Sequence, residues 1–305
     1  DVTLLRFVKM EGAGNDYVVM DARNQEQDWP EVAKRVSDRH FGVGADGLLI
    51  VVPSDKADIR MRMFNPDGSE AEMCGNGIRC FAKYVVERQI VVKSGPLPMS
   101  IKVETGNGVL GVTPLTSNGN VTRALVSIGE PRFRAEDIPV VIPKGQKAFQ
   151  LDPKQLDITI APIEGLVAGY PITMDGRTFT ITCVSMGNPH AVAFFDPPVG
   201  SFPLETLGPK IERYVIFPKR VNFHVVNILA KDKLKARTWE RGAGITLACG
   251  TGACAIQAVA RLLGLTNDTV QLAMPGGVLT ITWPGHGPVI MEGPVEEVFE
   301  GEWSG

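Results

Sequence analysis

The chain has 305 residues, 44% hydrophobic and 21% charged, enough to bury the core of one large domain or two medium ones, and two is the better expectation. A formal net charge of -3 and a pI near 5.9 give none of the basic field that nucleic acid or an anionic membrane surface requires, so the expected partner is a small molecule. The apolar run Leu48 to Val52, as long as any in the chain, falls far short of the ~20 residues that cross a bilayer, and five cysteines are too few, and odd in number, for the disulfide framework of a small secreted domain.

In chain order, Gly14-Asn15-Asp16 leads into an apolar, β-branched run, Tyr17 to Met20, which reads as a strand. Trp29 to Asp38 has the spacing of a helix. Gly42-Val43-Gly44-Ala45-Asp46-Gly47 matches the dinucleotide pattern G-x-G-x-x-G, but that fingerprint needs a strand before it and a helix after it. Here the helical pattern precedes and the strand Leu48 to Val52 follows, so no nucleotide cofactor is expected. Asn65-Pro66-Asp67-Gly68 is a turn by composition. Cys74-Gly75-Asn76-Gly77 then opens a helical pattern, Ile78 to Glu87. Ala135 to Gly165 carries Pro139, Pro143, Pro153 and Pro162 with few periodic apolar positions, which suits a linker or edge segment. A domain boundary near residue 130 is therefore expected, with a first domain 1–130 and a second from 131 onward. Gly187-Asn188-Pro189 precedes a second strand, Ala191 to Phe195, and Cys249-Gly250-Thr251-Gly252 opens a second helix, Ala253 to Leu263. Strands dominate and helices are few, so the class is α+β.

These elements repeat. Each half runs Gly-Asn, strand, then Cys-Gly-x-Gly and helix, and the spacing from Asn15 to Cys74 differs by only two residues from that between Asn188 and Cys249. The reading is a duplicated domain with a pseudo-twofold relation.

The repeat carries the chemistry. A cysteine where a helix begins faces unpaired N–H groups and the positive end of the helix dipole, a setting that favours thiolate over thiol. The glycines let a ligand approach the backbone, and the N–H groups of Gly75, Asn76, Gly250 and Thr251 suit a carboxylate. Two such motifs suit inversion of a stereocentre, with Cys74 and Cys249 as base and acid on opposite faces of one molecule. Glu240 and Arg241, ahead of Cys249, offer partners for an ammonium and a carboxylate, although an isolated pair of this kind is more often a solvated salt bridge. Cys80, Cys183 and Cys254 read as small buried hydrophobes. No tight Cys-x2-Cys pair exists and the four histidines are scattered, so no metal is expected. The chain opens on Asp1 rather than Met, and the expectation is that an upstream piece, with any targeting peptide, is missing.

Taken together, Lys9 to Asp16, Arg39 to Gly47, Phe64 to Glu70, Met73 to Arg79, Ser185 to His190, Phe217 to Asn222, Trp239 to Ala253 and Pro275 to Gly277 resemble the diaminopimelate epimerase family, in its order and over nearly the whole chain. The resemblance implies a two-domain fold, each half a β-barrel-like sheet around a central helix, with the last strand, 293–305, returning to the first half. It implies cofactor-independent epimerisation of LL- and meso-diaminopimelate by Cys74 and Cys249. By the same resemblance, Asn15, Asn65, Asn188, Asn222, Glu240 and Arg241 contact the substrate's polar ends, Gly75-Asn76 and Gly250-Thr251 bind it through the helix starts, and His190 and Glu240 tune the thiols. A homodimer is implied, in the cytoplasm, or in a plastid if the source is a plant or alga. The chain departs from the family's pattern at Glu11, at Gly47, over 144–169, and at Phe223-His224 after Asn222. A related two-cysteine racemase of another amino acid is the alternative. A non-catalytic binding protein would have no use for paired Cys-Gly-x-Gly motifs.

Overall fold

The computed structural model describes residues 4–72, 74–151, 163–247 and 250–305. It divides into two units, residues 1–127 with 292–305, and residues 128–291.

In the first unit, β1 (Leu5–Gly12) and β2 (Asn15–Asp21) form a hairpin, turned at Ala13 and Gly14, which both have positive φ. The Glu11 carboxylate accepts from Gly14 N–H at 3.1 Å, so this departure from the family pattern caps its own turn. The helix α1 (Trp29–Ser37) starts at Asp28, whose carboxylate accepts from Glu31 N–H, with Pro30 in the first turn. It ends one residue earlier than its periodicity predicts. The strand β3 (Gly47–Val52) runs parallel to β2, β4 (Ile59–Phe64) antiparallel to β3, and β5 (Glu70–Ala71) antiparallel to β4. The helix α2 (Gly75–Glu87) follows, then β6 (Ile101–Thr105) parallel to β4, β7 (Gly108–Ser117) and β8 (Asn120–Gly129).

The second unit repeats this order. The pair β9 (Tyr170–Met174) and β10 (Arg177–Ser185) is antiparallel, as is β10 with β11 (Pro189–Phe194). After α3 (Leu204–Glu212), β12 (Asn222–Ala230) runs parallel to β11, β13 (Lys233–Glu240) antiparallel to β12, and β14 (Gly244–Thr246) antiparallel to β13. Then come α4 (Gly250–Leu262), β15 (Thr269–Met274) parallel to β13, β16 (Gly277–Thr282) and β17 (Val289–Pro294). Strand for strand this is the topology of the first unit. The last strand, β18 (Glu296–Trp303), pairs antiparallel with β1, the place that β9 takes beside β10.

Both central helices are buried on all sides. Gly75 to Val85 are buried without a break, and α2 packs against β1, β2, β3 and β7. Gly252 to Ala260 are likewise buried, and α4 packs against β10, β11, β12 and β16. Nearly apolar all round, α4 belongs inside a core, whereas α2 takes Asn76, Arg79 and Lys83 in with hydrogen bonds, Arg79 to Asn76 and Lys83 to Val121 O; truncating Phe81 to Ala there would cost about 3–5 kcal/mol. The outer helices cover one face each. The buried side of α1, Trp29, Ala33 and Val36, joins Leu48, Ile50 and Phe64, and Leu204, Leu207 and Ile211 of α3 join Phe179, Phe202 and Phe223. One expectation is corrected. Within Ala135 to Gly165, expected as a linker or edge segment, Ile138 and Val140 are buried in the core of the second unit, while residues 152–162, with Pro153 and Pro162, lie outside the described residues.

Candidate active site

Cys74 is the N-cap of α2, half-buried and in extended backbone, and its side chain caps nothing. Its carbonyl takes the first helical bond, from Ile78 N–H at 2.9 Å, so the N–H groups of Gly75, Asn76 and Gly77 lack intrahelical partners. Its Sγ lies 3.0 Å from the Tyr17 hydroxyl. The neighbouring amides are fixed by a chain of bonds. Arg79, fully buried, donates to Asn76 Oδ1 at 2.7 Å, Asn76 Nδ2 donates to Asn15 Oδ1, and Asn15 Nδ2 donates to Asp46 at 3.2 Å. Asp16 beside them binds Arg39 through both oxygens and Lys9 at 2.7 Å. Burial raises the Asp16 carboxyl, but the bonds from Arg39 and Lys9 outweigh it and hold the group far below the usual range. Asn65 lies in the turn its sequence predicts, its Nδ2 on Ser69 Oγ at 3.0 Å.

In the second unit, Asn188 Nδ2 donates to Thr251 in the first turn of α4 at 3.3 Å, and Asn188 Oδ1 faces His190 Nε2 at 2.7 Å. Asn222 is tied at both ends, Nδ2 to Pro189 O and Oδ1 to Arg241 N–H. Arg241 is exposed, with its guanidinium on Lys219 O, and Glu240 is half-buried at the end of β13. Gly250 opens α4. Cys249 lies outside the described residues. Cys80, Cys183 and Cys254 are wholly buried, as their settings predict, and burial pushes all three thiols far up.

The family model described as diaminopimelate epimerase matches residues 7–133 and 182–298. The chain belongs to that family. Membership makes it an isomerase, and among its relatives the diaminopimelate epimerase of Acetivibrio thermocellus is 44% identical over 300 residues, 98% of each chain. That of Methanococcus maripaludis is 43% identical over 300 residues, 98% of this chain and 99% of the relative. Solved structures share the fold at much lower identity. A phenazine biosynthesis protein of the PhzF family from Bacillus anthracis matches with a TM-score of 0.63 at 17% identity, over 99% of both chains. A hydroxyproline epimerase from Agrobacterium vitis matches with a TM-score of 0.63 at 12% identity, over 98% of this chain and 92% of that one.

Four residues near these motifs are given no role by the sequence. Tyr17 reads as one more apolar strand position. Arg79, a charged position within a helical pattern, is buried, and a Cβ at Gly293 would stand 2.5 Å from its Cζ. Glu212, buried on α3, accepts from Trp239 Nε1 at 2.8 Å and Gly242 N–H at 3.1 Å, bracing the Glu240–Arg241 turn. His224 joins His190. Only its unusual place after Asn222 pointed to it.

Proposed function

We propose that this chain interconverts LL- and meso-diaminopimelate without a cofactor, with Cys74 and Cys249 as the paired base and acid. One thiolate takes the α-hydrogen and becomes a thiol. The other thiol gives its proton to the opposite face of the carbanion and becomes a thiolate, so protons and charge balance and the centre inverts. The N–H groups of Gly75, Asn76, Gly250 and Thr251 hold the α-carboxylate. Arg241 takes the distal carboxylate through two bonds, Glu240 takes an ammonium, and Asn15, Asn65, Asn188 and Asn222 complete the polar contacts. His190 is buried and burial holds its imidazole well below the usual range, so it acts as a neutral donor that orients Asn188 rather than as a charge.

The observation that supports this reading best is the duplication: in each half a buried central helix starts at the glycine that follows the cysteine of Cys-Gly-x-Gly. Family membership supplies the substrate. The test is chiral chromatography of LL-diaminopimelate incubated with the protein in heavy water, beside a panel of ordinary L-amino acids, after exhaustive chelation and carbonyl-reagent treatment. The expected product is the meso isomer carrying solvent deuterium at the inverted carbon. Product that keeps its original hydrogen, activity restored only by a metal or pyridoxal phosphate, or preference for another amino acid would each overturn part of the reading. No helix among the described residues is long and apolar enough to cross a membrane. A cytoplasmic homodimer is proposed from the family resemblance, and light scattering measures its mass.

A further inference from the structure

Tyr17 lies on β2 with its side chain turned inward and 1% exposed. Two glycines flank its ring. A Cβ at Gly77, in the first turn of α2, would stand 3.5 Å from Tyr17 Cζ, and one at Gly47, at the head of β3, 3.7 Å from Cδ1. The hydroxyl reaches Cys74 Sγ, 3.0 Å away, which is its hydrogen-bond partner among the described residues. A phenylalanine would fill the same apolar space, so packing does not explain the oxygen.

We propose that Tyr17 is a positioning residue for Cys74, whose hydroxyl donates to Sγ, fixes the direction of the sulfur lone pair that receives the α-proton, and favours the ionised sulfur. The chemistry sets the direction of the bond. A thiolate has no proton to give, so once Cys74 ionises only the phenol can donate. Burial, then Cys74, keep the phenol's own ionisation well above its ordinary range, so it retains its proton. An O–H bond to an anion is about twice as strong as one between neutral groups, so the contact tightens as Cys74 becomes the base and slackens when it carries the proton. The other titratable groups facing this pair are Arg79 and Cys80 from α2 and Asp46 ahead of β3, with Glu11 of β1 acting on Cys80. Cys80 stays a neutral thiol, and Arg79 keeps its charge. Removing one hydroxyl leaves all four in place.

The proposal rests on the reading of Cys74 as a base, and the experiment separates the two. In Tyr17→Phe, iodoacetamide alkylation of Cys74 is followed by peptide mapping across pH, beside the pH profile of kcat/KM for LL-diaminopimelate. The alkylation midpoint and the acid limb of kcat/KM should both move up by about one pH unit, roughly a tenfold loss at fixed low pH. The high-pH alkylation plateau should not fall, since a more basic thiolate is the better nucleophile. 3-Fluorotyrosine at position 17, a stronger donor of the same shape, should move the midpoint down and covers the case of a poorly folding Phe variant. Unmoved midpoints in both variants, with wild-type activity intact and Cys74→Ser inactive, overturn the role of Tyr17 while the two-thiol reading stands. A shifted alkylation midpoint with a fully active Cys74→Ser overturns the two-thiol reading, and with it any catalytic purpose for the contact.

Discussion

His224 Nε2 lies 2.9 Å from His190 Nδ1, and with the Asn188 amide as it stands the bond runs from His224 to His190. Asn188 Oδ1 is an acceptor, so His190 carries its proton on Nε2, which leaves Nδ1 to accept from His224 Nε2–H. His224 Nδ1 in turn accepts from the Thr238 hydroxyl at 2.8 Å. Both rings are fully buried, stacked 5.1 Å apart, and the chain from Thr238 to Asn188 holds the Asn188 amide one way round, its NH2 on Thr251.

His224→Phe breaks this chain and leaves His190 Nδ1 buried without a donor, a loss of about 1–3 kcal/mol of stability. The expected result is a lower melting temperature together with a roughly tenfold fall in kcat/KM, as Asn188 gains freedom to flip. His224→Gln, which keeps an N–H donor, should recover part of the activity. Unchanged kcat/KM in the Phe variant would show that Asn188 needs no such support.

The same pair sets a pH dependence. Burial lowers His224 from 6.5 to about 3, and burial, then His224 and Arg241, lower His190 well below 6.5. Between the folded and unfolded values the unfolded chain binds more protons, so stability rises with pH there. It is fully present above about pH 6.5 and is lost progressively on acidification towards pH 3. Urea midpoints measured from pH 7.5 to 4 should fall along that window, and the slope should shrink by about one proton in His224→Phe.

The cysteines should divide sharply. Cys74→Ala and Cys249→Ala are expected to lose epimerisation altogether. Cys80→Ala and Cys254→Ala, which each remove a small buried group, should keep it and lose about 1 kcal/mol of stability. Activity assays beside thermal melts decide this, and equal activity losses in all four variants would contradict the assignment.

Gly293→Ala tests the buried cation. The new Cβ would meet Arg79 Cζ at 2.5 Å, so the guanidinium must move and Asn76 Oδ1 loses its donor. Overpacking of this kind costs about 1–3 kcal/mol, and KM for diaminopimelate should rise as Asn76 and Asn15 lose their fixed orientation. A variant with wild-type KM and melting temperature would mean that Arg79 relocates freely.

Local pattern alone carried the duplication, the two central helices and the cysteines at their starts. Glycine beside a cysteine before an apolar helical run has few other readings, and a repeated order of turn, strand and helix survives in one dimension. Helix ends were readable to within a few residues from spacing alone, and the cap that starts α1, Asp28 with Pro30, is chemistry just as local. What the residues in sequence did not show is how the polar side chains are paired. Tyr17 and Cys74, Arg79 and Asn76, His190 and His224, and Glu212 and Trp239 sit on different elements or different turns, and their bonds depend on strand register and helix rotation. A parallel pairing of β11 with β12 sets His190 opposite Asn222 and Val192 opposite His224, and that register brings the two imidazoles together. Ile138 and Val140 were hidden for the same reason. Burial belongs to the packed chain, and two apolar residues among prolines show no period until a core closes over them.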